Sequence, residues 1–248
     1  GFVVSGSGAE TLLIRGDGPS LAQYGVTGFL AAPTLSVFNS DGVAIASNTG
    51  WGTNPNPNLI TSTAKAVGAF SLPNGSADSA LIVSLPAGAY TAEVSGMNNS
   101  SGVALVEVYE VSSTGTRLVN ISSRAQVGTG ENIVIPGFVV TGSGSETLLV
   151  RGDGPALTQF GVSGVLAQPS IILENSSGST VGANTGWTSN ADPSLITSTD
   201  SEVGAFALGS TSADSALVTS TQSGAFTLQV SGAEGETGVV LAEVYEVP

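Results

Sequence analysis

Two stretches, ETLLIRGDGP ending at Pro19 and ETLLVRGDGP ending at Pro155, each carry one arginine on an alternating apolar run. Arg15 and Arg151 are the only arginines within two long copies of one sequence, and each shares a strand face with Leu13 or Leu149. A guanidinium on such a face is desolvated and favours a bidentate carboxylate. The matching acids are Glu107 and Glu243, on the face that also carries Tyr109 and Tyr245. The expected pairs are therefore Arg15 with Glu107 and Arg151 with Glu243, as structural salt bridges. The competing chemistry is an arginine that grips an anionic ligand, which requires burial of an unpaired charge. Arg15, Gly16 and Asp17 also spell the integrin tripeptide, but the arginine falls at a strand end and Gly18 and Pro19 continue into a turn. Asp17 is expected to cap that turn or the short helix after Pro19.

Other reactive chemistry is sparse. The chain has no histidine and no cysteine, which removes imidazole bases, thiolate nucleophiles, disulfides and the zinc, haem and iron–sulfur sites built on those ligands. Serine and threonine abound without a base beside them, and Lys65 becomes Ser201 in the second copy. No catalytic or cofactor-binding residues are assigned. Calcium needs only oxygen ligands, and Asp78 in SADSA is the best single candidate, but the acids kept in both copies are scattered and no DxDxDG loop occurs. Trp51 and Trp187 each end an NTGW segment; exposed, they would offer a sugar platform, whereas burial would close a core.

The net charge of −14 divides as −5, +1 and −10 over residues 1–112, 113–136 and 137–248. Five basic residues cannot form the patch that nucleic acid requires. No apolar run is long enough for a membrane span, and the lack of an initiating Met and of a signal peptide reads as a mature or excised chain.

The elements that must position these residues come in duplicate. GFVVSGSGAETLLIRGDGP from Gly1 returns as GFVVTGSGSETLLVRGDGP from Gly137, and the offset of 136 residues holds without a gap until EVYEV ends both copies. Within the first copy, apolar alternation marks strands over Phe2–Ser5, Thr11–Arg15, Thr34–Phe38, Val43–Ser47, Val67–Leu72, Ala80–Leu85, Tyr90–Ser95 and Val103–Val111. Gly, Asn, Asp and Pro punctuate them, and only the segment after Pro19 suggests a helical turn. The expected fold is all-β: two tandem antiparallel β-sandwiches, jelly-roll or immunoglobulin-like, over 1–112 and 137–248. The connector 113–136 precedes the second copy and has no counterpart before the first. Its TRLVNIS and ENIVI stretches alternate as strands do, so Arg117, Leu118, Val119, Ile121, Ile133 and Ile135 are expected to add to the second copy's sheets. The matching vacancy in the first copy would be filled by a strand or surface of another subunit.

The run NISSRAQVGTGENIVIPGFVV, with ETLLVRGDGPAL, NTGW, SGAFTLQVSG and GVVLAEVYEV, resembles a repeat domain of large secreted proteins of environmental bacteria. PAGAYTAEVSG also looks like part of a bacterial pre-peptidase C-terminal domain, a secreted jelly roll. Both resemblances imply extracellular, non-catalytic β modules. The expected function is accordingly structural: an extracellular or cell-surface protein that assembles with itself, as a filament or sheath subunit joined by β-strand complementation. The alternative is a carbohydrate-binding or adhesive accessory module.

Overall fold

The computed structural model describes residues 1–111 and 115–248. The chain is predominantly β, its named strands pair antiparallel, and it forms two compact units, Gly1–Val119 and Asn120–Pro248. The boundary expected at 112–113 lies outside the described residues. The connector is divided between the units, since the strand Thr116–Val127 begins in the first and ends in the second.

In the first unit, β1 (Phe2–Asp17), β2 (Pro33–Asn39), β3 (Ala44–Thr49), β4 (Ser79–Gly96) and β5 (Leu105–Glu110) form a sheet in the order β3-β2-β4-β1-β5. The segments Phe2–Ser5 and Thr11–Arg15 are one bent strand. Gly6 and Gly8, at φ of 116° and 112°, supply backbone angles that other residues rarely adopt, and the β1–β4 register shifts there. Likewise Ala80–Leu85 and Tyr90–Ser95 merge into β4. Bent long strands fold the sheet over itself, so the two layers of the sandwich belong to one hydrogen-bonded sheet. The layers meet closely at Gly16 of β1, where a Cβ would lie 2.8 Å from Val94 Cγ2 of β4.

A helix, α1 (Pro57–Ala66), covers the outside of β1 and β4, burying Ile60 and Ala64 against Leu13, Trp51 and Ala80. Asn56 caps it by accepting from Leu59 N at 3.2 Å, with Pro57 in the first turn. The strand expected at Val67–Leu72 is not formed: the chain leaves the helix at Val67, and Val67, Ala69 and Leu72 pack on the same cluster from a non-strand segment. Its apolar spacing reflects packing on the helix layer.

The connector strand is β6 (Thr116–Val127). The second unit repeats the first with β7 (Gly137–Asp153), β8 (Pro169–Asn175), β9 (Thr180–Thr185), α2 (Pro193–Val203), β10 (Ser215–Gly232) and β11 (Gly238–Glu246). Gly152 plays the part of Gly16, 2.7 Å from Ile171 Cγ2 by the same construction. One addition distinguishes this unit: Asn120–Val127 pairs with Tyr245–Gly238 along the outer edge of β11.

Candidate functional site

Two features recur or contrast between the units, a buried charge cluster and the edge strand beside it. β1 and β5 pair with Arg15 opposite Glu107 and Leu13 opposite Tyr109. Arg15 is fully buried. Its Nε lies 3.3 Å from Glu107 Oε2, and its Nη2 donates to Asp17 Oδ2 at 2.9 Å. Nη1 donates to the Phe70 carbonyl at 2.7 Å, and the guanidinium stacks 4.1 Å from the Phe70 ring centre. Tyr109 in turn donates to Glu107 Oε1 at 2.7 Å. The second unit builds the same cluster: Arg151 lies 3.0 Å from Asp153 and 3.5 Å from Glu243, and Tyr245 donates to Glu243 at 2.8 Å. It adds Asp200 of α2, 3.0 Å from Arg151 Nη1, where the first unit has Ala64.

Asp17 and Asp153 are the partners that sequence reasoning missed. Asp17 does not cap the following turn; it turns back to Arg15, because residues two apart on a strand share a face. The cap is Asp78, whose Oδ1 accepts from Gly18 N at 2.7 Å and from Ser20 N and Oγ. Asp214 does the same for Gly154 and Ala156. Burial first, then the hydrogen bond that its protonated form donates to Glu107, pushes the Asp17 carboxyl up to about 8 despite Arg15. Burial likewise holds Asp153 well above its ordinary value and raises Asp200. Arg15 and Asp17 are buried on the face beneath α1 and the segment that follows it, and Gly16 meets the opposite layer, so the tripeptide presents no surface for recognition. Two shallow depressions, one around Phe38, Tyr90 and Glu93 and one around Pro155, Gln159 and Leu208, contain no member of either cluster.

The sugar-platform reading of Trp51 and Trp187 is corrected by their burial. They are 5% and 7% exposed, enclosed beneath α1 and α2. Trp51 Nε1 donates to Pro73 O and Ser76 Oγ, and Trp187 Nε1 to Gly209 O. No group of three or more acidic side chains among the described residues is arranged to hold a metal ion, and no described helix is long and apolar enough to cross a membrane.

The edge strands differ sharply. β11 is flanked by β7 and by Asn120–Val127, and Val240, Ala242 and Val244 are buried in one core with Val127 and Val134. Among the described residues β1 is the only strand paired with β5. There Leu105 is 40% and Val106 43% exposed, whereas Ala242, the counterpart of Val106, is 2% exposed. Of the connector residues expected to add to the second copy's sheets, Ile121 does so within Asn120–Val127; the others are corrected, since Arg117, Leu118 and Val119 precede that pairing and belong to the first unit, and Ile133 lies outside any strand. Ile135 is corrected too: the ENIVI stretch forms no strand, and only Val134 pairs, by an isolated bridge to Val230. Thr116 and Leu118 also tie β6 to the first unit, through Glu10 (2.8 Å from the Thr116 hydroxyl) and Glu110.

Compared with known proteins, the chain matches no defined sequence family and no curated protein. Among solved structures it aligns with the infectious bursal disease virus VP2 subviral particle at 10% identity and a TM-score of 0.21, over 99% of this chain and 57% of that one. It aligns with the infectious bursal disease virus Gt strain structure at 12% identity and a TM-score of 0.20, over 99% and 58%. The chain thus spans little more than half the length of either.

Proposed function

We propose that this chain is a non-catalytic, extracellular structural protein that assembles with copies of itself into a surface filament or sheath. The joining surface is the outer edge of β5. The observation that carries this reading is the contrast at one position of the repeat: Val106 is 43% exposed on an edge paired on one side, and Ala242 is 2% exposed on an edge paired on both. An unpaired strand edge with apolar side chains is a template for another strand, and strand addition joins protein chains through backbone hydrogen bonds. The buried arginine clusters belong to the scaffold in this reading, since they hold β5 and β11 to the sheet and face no cleft. Light scattering and negative-stain microscopy of the purified protein test it. Regular oligomers or filaments that are lost on Val106→Lys support assembly through β5; monomers at all concentrations overturn it.

A further inference from the structure

The self-assembly reading leaves open which strand meets β5. The connector shows that the edge at this position of the repeat accepts an antiparallel strand, because Asn120–Val127 lies along β11. That same pairing engages the connector within its own chain. One connector cannot serve β11 and also the β5 of a neighbour, so a joint between identical chains needs a second edge from each copy.

β3 is such an edge. It ends the sheet of the first unit, and β2 is its only paired strand among the described residues. β3 and β5 are each six residues long, so their edges match in extent. Edge strands are ordinarily protected by charge, especially lysine, or by proline. The segment Val43–Thr49 carries neither, and Val43 and Ile45 are 56% and 44% exposed. The duplicate is again informative: Val43 corresponds to Ser179, and Ile45 to the half-buried Val181 of β9. The first unit therefore presents apolar side chains on both of its end strands, while the second covers one edge with the connector and carries a polar residue beside the other.

We infer that the outer edge of β5 in one copy pairs with the outer edge of β3 in the next, so that the sheet of one first unit continues into another. This rests on the assembly reading above. A β5-to-β3 contact uses different surfaces on the two partners, which extends without closing, whereas β5 against β5 would close as a dimer.

The chain has no cysteine, so pairs of thiols can be placed at will. The double variant Leu105→Cys, Ile45→Cys, with Leu105→Cys, Ser47→Cys as the neighbouring register, is assembled and treated with a short bismaleimide. The expected result is a ladder of covalent oligomers from at least one double variant. A mixture of the single variants should give dimers only, and either single variant alone should give no crosslink. Matching thermal melts would show that the variants fold, and Val43→Lys with Ile45→Lys should shorten assemblies without shifting the melt. Dimers from Leu105→Cys alone would place β5 against β5 and overturn the inference. Filaments without any crosslink, and unaffected by the lysines, would overturn the β3 joint while leaving self-assembly intact. Monomers throughout would remove both.

Discussion

Arg15 can remain charged beneath the helix layer because its nitrogens and one face of its guanidinium have partners: Asp17 and Glu107 at Nη2 and Nε, the Phe70 carbonyl at Nη1, and the Phe70 ring against the face. Removing one member of such a group strands the others. Arg15→Ala should cost about 3–5 kcal/mol in chemical denaturation, and combining it with Glu107→Ala should cost less than the sum of the separate losses. Additive losses would show that the two side chains do not interact. Protonation gives a second test at the same place. The Asp17 carboxyl rises from 3.8 to about 8 on folding, so between those values the folded state holds a proton that the unfolded chain has released. Its stabilising contribution is complete below the unfolded value and fades as pH rises through the folded one. Asp153 is shifted in the same direction. The melting temperature should therefore fall from about pH 4 toward pH 8, with a shallower decline in Asp17→Asn. A melting temperature that climbs over this range would contradict the burial argument.

At the scale of elements, the strands were largely legible because apolar alternation survives wherever one face is buried. Arg15 and Glu107 could be read as facing each other for the same reason. The bends were not legible, because Gly6 and Gly8 look like turns in sequence although they kink a continuous strand. Both α-helices were missed, although Asn56-Pro57 and Asp192-Pro193 are a cap residue followed by the proline favoured in a first turn. Their ten and eleven residues bury only Ile60, Thr63 and Ala64, or Ile196, Thr199 and Asp200, too few for a clear helical period. The helices also supply the cover for Trp51 and Trp187, whose burial was one of the two alternatives their sequence position offered. Trp51→Ala should cost about 3–5 kcal/mol by opening the cluster beneath α1, and urea melts would measure it. Backbone exchange can compare the two edge strands directly. Amides of β5 should exchange faster in the unassembled protein than those of β11, and should approach them on assembly. Equal protection in the dispersed protein would mean that the outer edge of β5 is already satisfied.

For the whole molecule, charge is as informative as fold. Nineteen acids face five bases in the sequence, and two of those bases, Arg15 and Arg151, lie fully buried. Only Lys65, Arg117 and Arg124 remain at the surface, and all three are exposed. Seven acids, Glu10, Asp17, Asp78, Asp153, Asp200, Asp214 and Glu243, are buried as well, so twelve acids and three bases are left toward solvent and the exterior is anionic. Such a protein behaves as a charged colloid. Copies repel one another at long range, so under the assembly proposed above the short-range attraction of exposed edges would be felt only once counterions compress that repulsion, to about 8 Å at physiological ionic strength. Assembly should then be negligible in dilute buffer and rise with sodium chloride, as turbidity or light scattering would record; assembly that weakens with salt would mean that attraction between charges drives it. The surplus of acids left at the surface would thus set the ionic threshold at which copies first adhere.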